Sequence, residues 1–191
     1  MPRLPSPIVL CTVLTAALAL APIRGTVEGA PSVALTLSSS AFSAGGDIPT
    51  RYTCEGKDIS PPLAWSAPPA GTRSLALIMD DPDAPDLPAP KTTFTHWVVY
   101  NLPPIAGALA EAANQSSLPA GARQALNDLQ RPDYVGPCPP IGRHRYFTRL
   151  FALDVVLPDL DRQGPARVEA AFAGHVLAEA ELVGLYQKKG R

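Results

Sequence analysis

The stretch "YVGPCPPIGRHRYFTRLFALD", from Tyr134 to Asp154, joins a stiff loop directly to a strand-forming segment. The loop holds three prolines, two glycines and a cysteine, and the residues from Tyr146 onward are mainly apolar or favour strands. In a strand, His144 and Tyr146 are two positions apart and therefore face the same side, whereas Arg145 faces the other. The stretch predicts a long strand whose first residues carry a histidine and a phenol on one face.

Other short segments have the apolar or alternating patterns of strands. They are "SVALTLSS" (32–39), "SLALIMDD" (74–81), "HWVVYNL" (96–102) and "AELVGLYQ" (180–187), while the opening stretch predicts a strand over 146–157. Turns rich in proline, glycine and aspartate separate them, which indicates an antiparallel sandwich or barrel and not an α/β sheet. The segment "GPARVEAAFAGHVLAEA" (164–180) predicts a helix of about three turns that includes His175. The fold class is therefore mostly β with one or two short helices.

Composition limits the possible partners. The chain has 191 residues, 46% of them hydrophobic, which is enough for one domain with a proper core. Its net charge of -1 and its lack of a basic run argue against nucleic acid or an anionic membrane surface as the main partner.

The first residues have the pattern of an export signal. Arg3 precedes a mainly apolar run, Ile8–Ala21, that is shorter than the roughly 20 residues of a membrane span. We expect a cleaved signal peptide over 1–24, a tether over 25–32, one domain over 33–191, and a secreted or periplasmic location. An uncleaved anchor and an incorrectly assigned start codon are the alternatives.

Two cysteines, Cys54 and Cys138, remain after removal of this signal. In an oxidising compartment an even number of cysteines permits one disulfide bridge. Two separate buried thiols are the alternative.

Titratable residues occur where predicted strands begin or end. Asp81 and Asp83 follow one strand and His96 begins another, as His144 does in the opening stretch. Carboxylates at such places can have shifted pKa values, although aspartate also serves as an ordinary turn residue. Two histidines and a carboxylate can bind a metal, but the chain has no HExxH, CxxC or closely spaced histidine pair, and we predict no metal or other cofactor. It also lacks the GxSxG motif of many serine hydrolases.

Three blocks are similar to signature motifs of the phosphatidylethanolamine-binding protein family. They are "DPDAP" (81–85), "HWVVYNLP" (96–103) and "YVGPCPPIGRHRY" (134–146). Three more resemble the bacterial Raf-kinase-inhibitor-like branch, namely "YTCEGKDISPPLAW" (52–65), "PPAGTRSLAL" (68–77) and "GHVLAEAELVGLY" (174–186). The resemblance covers 33–187 and implies an antiparallel β-sandwich with a small pocket for phosphate-like anions.

The resemblance also implies which residues bind the ligand. They are Asp81, Asp83, His96, Gly136, Cys138, Pro139, His144 and Tyr146, with 136–140 as the pocket loop. A loop stiffened by proline can hold its backbone N–H groups and the adjacent histidine in a preformed arrangement, which lowers the ordering cost of binding. One aspartate would orient and charge a histidine, and another would accept a hydrogen bond from a protonated ligand oxygen or an ammonium group. Anion affinity should then rise as the pH falls through the histidine titration.

The expected function is that of a binding protein without enzymatic activity, acting as a monomer or homodimer on a small phosphorylated or anionic ligand. The alternative is a protein–protein inhibitor of a protease or kinase that uses the same surface. A hydrolase that uses His96, His144 and an aspartate is least favoured, because the sequence shows no activated nucleophile.

Overall fold

The computed structural model describes residues 34–85 and 91–189, and within them the chain forms two antiparallel β-sheets. The smaller sheet has the order β1-β2-β5 and the larger one the order β6-β4-β3-β7-β8. The strands are β1 (Leu37–Ser38), β2 (Leu63–Trp65), β3 (Ser74–Asp81), β4 (Phe94–Leu102), β5 (Gly107–Leu109), β6 (Arg123–Gln124), β7 (Arg143–Leu153) and β8 (Val176–Gln187). One short helix, α1 (Pro165–Phe172), and a single 3-10 turn (Thr50–Tyr52) complete the described elements. The expected mostly β sandwich is confirmed.

The central strand β3 is buried along its whole length, which explains the continuous apolar run from Leu75 to Met79. Leu75 and Leu77 face the core shared with the smaller sheet, whereas Ala76 and Ile78 face a second core that includes Phe172 of α1. Successive side chains of a strand point to opposite faces, so the two aspartates at the end of β3 are directed to different sides.

Strand β7 carries the histidine and the phenol as predicted. His144 and Tyr146 are buried on one face of β7, and Arg145 is exposed on the other. The strand spans Arg143–Leu153, so it begins before the predicted 146–157 and ends earlier. The first predicted strand, 32–39, is also shorter than expected, because among its described residues, 34–39, only Leu37–Ser38 forms a strand paired with β2.

The predicted helix over 164–180 is wrong in its second half. The helix α1 ends at Phe172, and Gly174 adopts a positive φ of 82°, a conformation that glycine reaches without steric cost. From Val176 onward the chain pairs with β7 instead, so pairing within the sheet overrides the helical propensity of the alanines. His175 consequently lies outside the helix, with its Nδ1 2.7 Å from Asp154 Oδ1.

The predicted signal peptide (1–24) and tether (25–32) lie outside the described residues. Across 34–85 and 91–189, no helix has the length and apolar character needed to cross a membrane.

A disulfide joins Cys54 to Cys138, two residues that are 84 positions apart, with a Cα–Cα distance of 5.5 Å. The structure thus has the bridge and not two separate thiols. The bond ties the segment after the 3-10 turn to the pocket loop (136–140).

We predict that the double variant Cys54→Ser/Cys138→Ser is less stable than the oxidised protein by about 4 to 5 kcal/mol, because the bridge restricts a long loop in the unfolded chain. Denaturant unfolding of both proteins measures the difference. A reductant should destabilise the parent protein and leave the variant unchanged. A loss below about 1 kcal/mol would contradict the chain-entropy account.

Candidate functional site

A pocket of about 370 Å³ opens where β3 ends and where β4 and β7 begin. Three buried titratable residues, Asp81, His96 and His144, line it, and we call them the pocket floor. The other lining residues, most of them apolar, are Ala84, Pro85, Thr92, Phe94, Leu129, Val135, Gly136, Cys138, Pro139 and Pro140. The pocket therefore combines a polar, desolvated floor with an apolar rim, as small-molecule sites commonly do.

A larger groove of about 920 Å³ is also bordered by the pocket loop. Cys138, Pro139 and Pro140 line both cavities. The groove is bordered mainly by exposed side chains, such as Glu55 and Lys188, and so lacks the buried titratable groups of the smaller pocket. We therefore take the smaller pocket as the candidate site.

Asp81 and His144 form a buried pair at the pocket floor. His144 Nδ1 lies 2.7 Å from Asp81 Oδ2, and His144 Nε2 lies 3.2 Å from the carbonyl oxygen of Ile141. Both ring nitrogens thus face oxygen atoms that accept hydrogen bonds. The other carboxylate oxygen, Asp81 Oδ1, accepts a hydrogen bond of 2.8 Å from the backbone N–H of Asp83. Asp81 therefore fixes the orientation of His144.

His96 is held by its backbone-facing nitrogen. Its Nδ1 lies 2.7 Å from the carbonyl oxygen of Val135, which can only accept, so Nδ1 carries the proton. Burial lowers the pKa of His96 below its usual value of 6.5, against the opposing hydrogen bond with Val135. The ring is therefore neutral at neutral pH, and its Nε2 has a free lone pair. The rings of Phe94 and Tyr146 contact it edge-on, with centroids 4.8 and 5.2 Å away.

Tyr146 lies against both histidines and has a hydroxyl group without a partner. Its ring centroid is 5.2 Å from that of His96 and 6.5 Å from that of His144. The hydroxyl oxygen is buried next to the Asp81 carboxylate but makes no hydrogen bond of normal geometry to any described residue. Burial raises the pKa of Tyr146, so the phenol keeps its proton. Buried polar groups are usually paired, so this unpaired hydroxyl is an exception. Tyr146, a predicted ligand-binding residue, is not among the residues that line the pocket.

Asp83, which the resemblance places in the site, is directed away from the pocket. Its buried carboxylate accepts hydrogen bonds from the backbone N–H of Arg145 at 2.9 Å and from the guanidinium Nη2 at 2.7 Å. These bonds from Arg145 lower the pKa of Asp83. Asp83 therefore anchors the turn after β3 to the start of β7 and does not line the pocket.

The pocket loop is held by contacts with the segment 52–58. The backbone N–H of Gly136 donates to Asp58 Oδ1 at 2.6 Å, and the hydroxyl of Tyr134 donates to the carbonyl oxygen of Tyr52 at 2.8 Å. A Cβ atom on Gly136 would lie 2.5 Å from the Tyr52 carbonyl oxygen, so this approach requires glycine. The disulfide adds a covalent link between the same two segments.

The pocket loop has few free backbone N–H groups, although we predicted that its N–H groups would face the ligand. Three of the five residues in 136–140 are prolines without an N–H group, and the N–H of Gly136 is bonded to Asp58. Only the N–H of Cys138 remains within the loop.

Asn127 and Asp128 shape the rim, although they were not among the predicted ligand-binding residues. Asn127 Oδ1 accepts hydrogen bonds from the backbone N–H groups of Leu129 and Arg131, at 2.9 and 3.2 Å. Asp128 Oδ2 accepts one from the N–H of Thr95 at 2.7 Å. Together they place Leu129, half exposed, at the pocket mouth. An Asn-Asp pair inside a loop was the available signal, because both side chains commonly bind nearby backbone groups.

Among the residues that the structure describes, no group of three or more His, Cys, Asp or Glu side chains could hold a metal ion.

Comparisons with known proteins agree on one family. A family profile described as phosphatidylethanolamine-binding protein matches residues 38–187. A UPF0098 protein of Methanothermobacter thermautotrophicus is 48% identical over 155 residues, which covers 81% of this chain and 99% of that protein.

Two crystal structures are also similar. A phosphatidylethanolamine-binding protein homologue of Chlamydia trachomatis is 43% identical, with a TM-score of 0.74 over 82% of this chain and 99% of that one. YbcL of Escherichia coli, described as a member of the mammalian PEBP family, is 30% identical, with a TM-score of 0.75 over 82% of this chain and all of that one.

We predict opposite effects for two Tyr→Phe substitutions in the site. Tyr146→Phe removes an unpartnered hydroxyl and should leave the ligand-free protein as stable as before or slightly more stable, by up to about 1 kcal/mol. Tyr134→Phe leaves the Tyr52 carbonyl without its donor and should cost about 1 to 2 kcal/mol. Denaturant unfolding of both variants provides the comparison. Equal destabilisation would mean that the Tyr146 hydroxyl has a partner in solution.

Proposed function

The chain belongs to the phosphatidylethanolamine-binding protein family, and we propose that it is an exported, non-enzymatic protein that binds a small phosphate-bearing or otherwise anionic ligand. The observation that carries the proposal is the convergence of Asp81, His96 and His144, all buried, beneath an apolar rim. Buried titratable groups that meet in a cleft are typical of a ligand site.

Preorganisation supports a binding role. The pocket loop is fixed by three prolines, by the Cys54–Cys138 bond and by the hydrogen bond from Gly136 to Asp58. A ligand would meet a wall that is already ordered, so little conformational entropy is lost on binding.

The lining side chains favour binding over covalent chemistry. Cys138 is in a disulfide and cannot act as a thiolate nucleophile. Thr92 carries the one hydroxyl group among the described lining residues, and it is exposed and donates to the carbonyl oxygen of Thr93. We therefore propose that the histidines bind and orient the ligand and do not activate a nucleophile.

Two features support export. The N-terminal residues have the charge and apolar pattern of a signal peptide. The disulfide is of the kind that forms and persists in oxidising compartments. The intact mass of the protein purified from its producing cells would test export, because a chain that still begins at Met1 would contradict it.

Ligand binding is tested by calorimetric titration and by thermal unfolding with inorganic phosphate and phenyl phosphate. A ligand at one hundred times its Kd should stabilise the folded state by about 2.7 kcal/mol, because it binds only that state. The absence of binding heat and of any shift in melting temperature with both anions would overturn the proposed function.

We predict that the affinity for phenyl phosphate rises as the pH falls through the titration of His96. The low pKa of His96 leaves the ring neutral at neutral pH, and a bound anion favours the protonated ring, whose Nε2 can then donate. The stability of the ligand-free protein should change with pH in the opposite direction. Its stability should fall below about pH 6.5, where the unfolded histidine takes up a proton that the folded one resists.

Two variants test whether His96 causes this dependence of affinity on pH. His96→Gln should show a shallower dependence of Kd on pH than the parent protein, since only the titration of the ligand remains. His175→Gln, which alters the exposed histidine bonded to Asp154, should keep the parent slope. Equal slopes for the parent protein and His96→Gln would contradict the role of His96.

A further inference from the structure

The pocket floor offers hydrogen-bond acceptors to a ligand. Asp81 Oδ1 accepts one bond from the N–H of Asp83, and Asp81 Oδ2 accepts one from His144. A carboxylate oxygen has two lone pairs, so each oxygen keeps one for a further donor. His96 adds another acceptor, because its Nδ1–H is committed to Val135 and the Nε2 of the neutral ring has a free lone pair.

Donors near the floor are few by comparison. The pocket loop supplies only the N–H of Cys138, since its prolines have none and Gly136 donates to Asp58. The hydroxyl of Tyr146, buried next to Asp81, is the one unpartnered side-chain donor found beside the floor in the described part of the chain. A ligand group that can only accept hydrogen bonds would therefore place an unprotonated oxygen against the Asp81 carboxylate.

Resting on the function proposed above, we propose that the pocket selects oxyanions that carry a proton, with a P–OH group of the ligand donating to Asp81. Inorganic phosphate and singly protonated phosphate monoesters belong to this class. Sulfate and sulfate esters do not, because they carry no proton at neutral pH. Asp81 is thus the residue that determines specificity between two anions of nearly the same size.

The surroundings of Asp81 favour a P–OH group over an ammonium group as the ligand's hydrogen-bond donor. The Asp81 carboxylate already accepts a hydrogen bond from the N–H of Asp83 and is paired with His144. A full cation would lose its hydration against the mainly apolar rim, which costs more free energy than the burial of a hydroxyl group. A P–OH group donates a hydrogen bond to the same acceptor without a positive charge.

The test compares phosphate with sulfate at a mildly alkaline pH, where both ions are mainly doubly charged and only phosphate has a hydroxyl group. Calorimetric titration at constant ionic strength should show phosphate binding at least about tenfold more tightly, the difference expected for one hydrogen bond to a charged acceptor. Asp81→Asn should bring the two affinities to within about threefold, because an amide can also donate to sulfate. Asp159→Asn removes the same charge at an exposed position and should keep the parent ratio.

Each outcome has one meaning. Equal affinities for phosphate and sulfate in the parent protein would overturn the selectivity and leave the proposed anion pocket standing. Binding of neither anion would overturn the proposed function itself. Much tighter binding of ethylamine-bearing phosphate esters than of phosphate, without a phosphate–sulfate difference, would mean that Asp81 receives an ammonium group and would also overturn the proposal. The ratio of phosphate to sulfate affinity in the parent protein tests the proposed selectivity even if Asp81→Asn fails to fold.

Discussion

The burial of β3 on both faces leaves two carboxylates, Asp80 and Asp81, where water has little access. A buried charge is tolerated only when it is paired and hydrogen-bonded. Asp80 meets this requirement on one side of the sheet, through Thr95 and a close contact with Arg149. Asp81 meets it on the other side, through His144 and the N–H of Asp83. The central strand brings the Asp81 carboxylate into the interior, where it requires a partner. This requirement explains the position of His144 at the pocket floor.

The pocket loop is an irregular segment that nevertheless keeps one shape. Its backbone has few N–H groups, so regular pairing cannot hold it. Side chains and carbonyl groups from 52–58 hold it instead, through Tyr134, Gly136 and the disulfide. Because these partners are distant in sequence, the shape of the pocket depends on the whole fold being formed.

Much of this arrangement could be predicted from the sequence, and the reasons for the failures are physical. The strand over 74–81 was predicted with its correct bounds, because a short apolar run between turn signals is typical of a strand buried on both faces. The helix over 164–180 was predicted too long, because local propensity carries no information about pairing with β7. Local patterns also could not show that Asp83 binds Arg145, or that Asp58 accepts from Gly136, because both contacts join residues far apart in the chain. The alternation of side chains along β7 was enough to predict that His144 and Tyr146 share a face.

The shared wall between the two cavities limits how this surface can diversify. Cys138, Pro139 and Pro140 border both the pocket and the larger groove. A substitution there changes the outline of both spaces at once, so a lineage cannot reshape the groove through this wall while keeping the pocket constant. Independent variation is confined to residues that border one cavity alone, such as Leu129 and Phe94 on the pocket side and Glu55 and Lys188 on the groove side.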